Sequence, residues 1–174
     1  MEVAFLLGLT GERAPEPLRS RAGVLQPEAL VMLGMRDEQY RREIGVPTIA
    51  GQVRLLTADD VHTDPAQAGA QAAAQAAARA PGWWLHTDLD VLAGDEFSAC
   101  GAAHDPAMPG GLSWAELAAV LSAALQAGGC RGWSLGVYNP DLDPERHAAR
   151  RIVAFLAGII GSWAQAQAKA TPQS

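Results

Sequence analysis

The chain is poor in cysteine and aromatic residues and carries no surplus of positive charge. Cys100 and Cys130 are the two cysteines among 174 residues. They are too few for a disulfide scaffold and lack the spacing of a zinc site, so a reducing compartment is expected. Lys and Arg number 13 against 19 Asp and Glu, a formal net charge of -6. No Lys/Arg stripe offsets a polyanion, which argues against binding a phosphate backbone. Arg36, Arg41 and Arg42 are interleaved with Asp37, Glu38 and Glu43 and read as a solvated face. There is no glycine-rich phosphate loop of the Walker or dinucleotide type. The start, Met1 to Leu9, lacks a basic stretch and its apolar run is short. It reads as neither a signal peptide nor a membrane span, and a cytoplasmic location is expected.

What is present is apolar material for one core: 49% of the residues are hydrophobic. One domain over residues 1–163 is expected, followed by a small, polar, flexible tail over 164–174. Residues 3–9 suit either a strand or a short helix. Gly11 to Gly23, with Pro15 and Pro17, reads as a surface connection. Ala29 to Met35 reads as a buried strand, and Asp37 to Ile44 as a short helix stopped by Gly45 and Pro47. Asp64 to Ala80, rich in Ala and Gln, is helical with a thin packing face.

Further along, Trp83 to Asp90 is a strand, followed by an irregular segment from Ala93 to Gly111. Ser113 and Glu116 have capping-box spacing, with Leu112 and Leu117 placed as a hydrophobic staple. Leu117, Val120, Leu121 and Leu125 then form an apolar stripe, and Gly128-Gly129 ends the helix. Arg131 to Tyr138 is the next strand. Asp143 and Pro144 open a last helix whose buried side is Ile152, Val153, Leu156 and Ile160. This order, strand, helix, strand, helix, predicts an α/β fold with a parallel sheet flanked by helices. Functional residues should then gather at the carboxyl ends of the strands.

Two carboxylates stand at such an end. The run Leu85-His86-Thr87-Asp88-Leu89-Asp90-Val91-Leu92 puts Asp88 and Asp90 two residues apart in apolar surroundings. On a strand they would share a face. Two like charges brought together there need a cation or paired donors between them. Hard divalent ions such as Mn²⁺ or Mg²⁺ suit an aspartate-dominated site. His86 is a candidate third ligand or supporting donor, with a packed, hydrogen-bonded histidine as the plain alternative. His104, in the loop, is a candidate acid or base, against a surface residue. His62 and His147 carry no functional argument and read as solvated. Asn139 and Asp141 either bind a polar substrate or satisfy backbone before the helix at Asp143. Cys100 could act as a nucleophile if a base lay beside it, but a small buried hydrophobe is the reading favoured here.

Three pieces in order resemble the C-terminal half of the arginase/agmatinase/formiminoglutamase superfamily, the ureohydrolases. His86-Thr87-Asp88-Leu89-Asp90-Val91-Leu92 is similar to the family's last manganese motif, in which both aspartates are ligands. Pro109-Gly110-Gly111-Leu112-Ser113-Trp114 resembles the run that opens the following helix. Val137-Tyr138-Asn139-Pro140 resembles the end of the next strand. The resemblance covers residues 80–160, and residues 1–56 more loosely. It implies a partial three-layer α/β/α domain, truncated relative to the family. It also implies a binuclear Mn²⁺ centre to which Asp88 and Asp90 contribute, and hydrolysis of C–N bonds in linear amidines or guanidino compounds in intact relatives.

The departures from the family are as informative. The 87 residues before Asp88 contain two histidines, His62 and His86, neither in the family's setting, so four of six ligands have no counterpart. Ala93-Gly94 stands where arginases have Asp-Pro, the loop from Asp95 to Met108 differs, and Val137 stands where a glutamate grips the guanidinium. Little or no activity is therefore expected of the isolated chain. Either an upstream polypeptide, a partner chain or a homo-oligomer supplies the missing half, or the chain is a non-catalytic interaction module built on that fold. The implied ligand is a small guanidino or amidino substrate; neither nucleic acid nor membrane is expected.

Overall fold

The computed structural model describes residues 2–101 and 108–170. The elements run α1 (Glu2–Leu6), α2 (Glu16–Arg19), β1 (Val31–Met35), α3 (Glu38–Glu43), β2 (Arg54–Thr57) and α4 (Ala58–Thr63). They continue as α5 (Pro65–Ala77), β3 (Trp83–Asp88), α6 (Trp114–Gln126), β4 (Cys130–Gly136) and α7 (His147–Ala170). This is an α/β structure of parallel strands flanked by helices. The ambiguous start is helical, as α1.

Local chemistry fixes most helix starts. Thr57 and Asp60 form a reciprocal capping box that opens α4. Asp64 accepts from the Gln67 amide, and Pro65 occupies the first position of α5. Ser113 and Glu116 open α6 in the same reciprocal way as α4.

The strands pair two by two. β1 and β2 are parallel, with Val31 opposite Arg54 and Leu33 opposite Leu56. β3 and β4 are parallel, with Leu85 opposite Trp133 and Asp88 opposite Gly136. α4 packs on β1 and β2, whereas α5 packs on β1 and β3. The two parallel pairs, β1–β2 and β3–β4, are separate, with no ladder between β1 and β3. Helix α5 bridges the two strand pairs and lies closely on α6. A side chain at Gly69 of α5 would run into the Val120 carbonyl of α6.

Two apolar clusters fill the interior. The larger joins Leu89, Leu92 and Phe97 to Trp114, Leu117 and Leu121 of α6 and to Ile152 and Ile159 of α7. The smaller joins Ala58 and Val61 of α4, Ala68 of α5, Leu112 and Val120, with Leu33 and Leu56 against it. Leu112 and Leu117, expected to touch as a staple, are both buried but belong to different clusters.

Several expectations need correction. β2 and α4 were not anticipated, and β1 is half-buried apart from Gly34. The last helix starts at His147, because Arg146 takes a left-handed φ of 58° that breaks the turn begun at Pro144. Asp143 still caps it, accepting from the amides of Ala148 and Ala149 at 3.2 and 2.9 Å. Its buried stripe is Ile152, Phe155, Leu156, Ile159 and Trp163. Val153 (67% exposed) and Ile160 (48%) face outward. Each lies one residue, about 100° of rotation, away from a core position. The helix also runs on to Ala170, through residues 164–170 that were expected to lie in a tail.

Candidate functional site

Strand β3 ends at Asp88, and Leu89–Val91 form one turn of 3-10 helix. That turn buries Leu89 and Leu92 completely. Asp90 therefore sits on the turn rather than on the strand, and strand alternation is not what relates it to Asp88. The two carboxylates nevertheless feel each other. Burial pushes the Asp90 acid above its ordinary value, the Asp88 charge pushes it the same way, and the Arg36 guanidinium pulls it back. Asp88 remains about half exposed at the mouth of the strand.

His86 supports Asp88. Its Nε2 lies 3.1 Å from Asp88 Oδ1 and its Nδ1 lies 2.7 Å from Ser134 Oγ, on the residue opposite it in β4. Ser134 Oγ also accepts from Trp84 Nε1 at 3.0 Å. A neutral ring meets both contacts as the Nε2–H tautomer, donating to Asp88 and accepting the Ser134 proton. Both ring nitrogens thus have partners, one on Ser134 and one on the Asp88 carboxylate.

Arg36 departs from the solvated face expected of it. Its guanidinium donates five hydrogen bonds to backbone carbonyls: two to Asp90 at 3.1 and 2.8 Å, one to Leu92 at 3.1 Å, one to Gly110 at 2.9 Å and one to Met108. It ties the end of β1 to both limbs of the loop between β3 and α6. Gly34, with φ +78°, lets the 3-10 turn come this close, since a side chain there would strike Val91. Arg41 pairs with Asp37, just before α3, and Arg42 with Glu38 at its start.

Asn139 Oδ1 accepts from the Asp141 amide at 3.0 Å, the backbone-satisfying alternative. Val137 is exposed, with a left-handed φ of 64°. Cys100 is buried and donates to the Phe97 carbonyl. His62 is not simply solvated: its Nδ1 lies 2.7 Å from Glu116 Oε1, so α4 is tied to the start of α6. His147 is exposed beside Glu145 at 3.4 Å. His104 lies outside the described residues.

The donor chemistry at Asp88 and Asp90 fits a hard divalent ion, because both are carboxylates and one is held where its charge is poorly solvated. The number of donors does not close a site. Among the described residues no group of three or more His, Cys, Asp or Glu side chains could hold a metal.

The sequence matches the arginase family over residues 13–161. The fold is similar to that of Helicobacter pylori arginase, at 21% identity and a TM-score of 0.70, covering 94% of this chain and 57% of that one. It is equally similar to Bacillus subtilis arginase, at 21% identity and a TM-score of 0.70, covering 92% of this chain and 55% of that one. Streptomyces clavuligerus proclavaminate amidino hydrolase aligns at 22% identity and a TM-score of 0.52, covering 69% and 37%. The chain thus spans little more than half the length of these arginases. No curated protein matches the sequence. Among the described residues, no helix is long and apolar enough to cross a membrane.

Proposed function

Because the chain belongs to the arginase family, we propose that Asp88 and Asp90 are the part of a manganese site that this polypeptide contributes to a hydrolase of C–N bonds in linear amidines or guanidino compounds. The observation that carries the reading is their placement at the carboxyl end of β3, where the half-buried Asp90 carboxyl and the Asp88 charge oppose each other. When bound, Mn²⁺ supplies Lewis-acid activation of water for attack on an electron-poor carbon. The roles of the chain itself are narrower. His86 orients Asp88, and Arg36 fixes the backbone around Asp90.

Two carboxylates cannot hold two ions as six ligands would, so the chain alone is weakly active or inactive. Full activity needs the remaining ligands from outside these 174 residues, whether an upstream segment, a partner chain or a second copy. The low cysteine content supports a cytoplasmic setting. The test is release of urea or amine from arginine, agmatine and formiminoglutamate with added Mn²⁺. Little or no turnover above a protein-free control is expected. Robust turnover that vanishes in Asp90→Ala would overturn the claim of inactivity while keeping the ligand assignment.

One observation favours a second reading, a non-catalytic interaction module. β1 and β3 each present an edge without a ladder, and Trp84, on β3, is 65% exposed. Bare parallel edges invite pairing with another chain. Size-exclusion chromatography with light scattering tests this: self-association at micromolar concentration is expected, and a well-behaved monomer counts against it.

A further inference from the structure

We propose that Arg36 is the positioning residue of this site: it fixes the backbone of the turn that carries Asp90 next to Asp88. The inference rests on the reading of Asp88 and Asp90 as cation ligands, and it adds a device that acts on them from the neighbouring strand pair.

Three observations lead to it. The guanidinium spends all five of its bonds on main-chain carbonyls rather than on either carboxylate. It therefore shapes the loop without occupying the lone pairs a metal would use. Second, the carbonyls it gathers belong to the two limbs that leave β3 and enter α6, Asp90 and Leu92 on one side and Met108 and Gly110 on the other. Those limbs are also laced by the Ala93 amide to the Leu112 carbonyl and the Leu112 amide to the Val91 carbonyl, each at 2.9 Å. Third, no ladder joins β1 to β3. Arg36 follows β1 directly, so it is a polar strap between the two strand pairs at the end where the carboxylates sit. A planar fork reaching four carbonyls is a task for guanidinium and not for an ammonium group.

The experiment compares wild type, Arg36→Lys and Arg36→Ala, each checked for folding by circular dichroism. Two quantities are read: hydrogen exchange at the Ala93 and Leu112 amides against those of Val120 and Leu121 in α6, and Mn²⁺ affinity by paramagnetic resonance. In Arg36→Ala the loop amides should lose protection at least tenfold more than the α6 amides. Mn²⁺ binding should weaken at least fivefold. Sub-denaturing guanidinium, against a matched sodium control, should restore both, and Arg36→Lys should restore neither fully. Loop and α6 amides loosening in step would reduce Arg36 to a stabilising residue and overturn the proposal, as would unchanged Mn²⁺ affinity. If Arg36→Ala does not fold, Arg36→Lys with the same two readouts decides. Wild type that binds no Mn²⁺ at all would sink the ligand reading, and with it the cation half of this proposal; the exchange data still decide whether Arg36 fixes the turn.

Discussion

Glu116 gives the most quantitative prediction. Its Oε2 accepts from the Ser113 amide and hydroxyl, both at 2.8 Å, and its Oε1 lies 2.7 Å from His62 Nδ1. These contacts lower its acid from 4.5 to about 2, the Ser113 backbone amide being the largest cause. At about 1.4 kcal/mol per unit, undiminished linkage would contribute about 3 kcal/mol. The side chain is 28% exposed, and solvent screening reduces this to about 1–2 kcal/mol. Because the folded value lies below the unfolded one, the contribution is complete above pH 4.5 and is lost as pH falls from there towards 2. Glu116→Gln removes the charge and one of the two accepting oxygens. Urea unfolding at pH 7 should show the variant less stable by about 1–2 kcal/mol, and the difference should fall to less than half by pH 3. An equal difference at the two pH values, or none at pH 7, would refute the reasoning.

Two further substitutions test the packing. Gly69→Ala would normally strengthen a helix by about 1 kcal/mol. Here the added methyl meets the Val120 carbonyl, so a loss of about 1–3 kcal/mol is expected in thermal melts. In α7, Ile152→Ala should cost about 2–4 kcal/mol, whereas Val153→Ala, one residue on and 67% exposed, should stay within about 0.5 kcal/mol. Equal losses at the two positions would mean that the helix is rotated from the orientation described.

What could be read from sequence was what short-range chemistry controls. The Ser113–Glu116 box, the α6 stripe and the parallel β3–α6–β4 unit all follow from spacing within one element or its neighbour. β2 escaped notice because Arg-Leu-Leu-Thr is too short to display a period. α7 carries two apolar stripes, and sequence cannot say which of them the core will take. Around the site, the Asp88–Asp90 spacing was visible but its cause was misread: a 3-10 turn that buries Leu89 relates them, not the pleat of a strand. Arg36 looked like Arg41 and Arg42 because its partners are 54 to 74 residues away. The partnership of His86 with Ser134 needs the register of β3 against β4, which no local pattern encodes.

The most direct test of the account is a Mn²⁺ titration of the purified chain followed by paramagnetic resonance, in wild type and in the doubly substituted Asp88→Asn, Asp90→Asn protein. Wild type should bind the ion weakly, on the order of 10⁻⁴–10⁻³ M for so few carboxylates, and the double variant should not bind it. Absence of binding in wild type, or binding that survives loss of both carboxylates, would contradict the assignment.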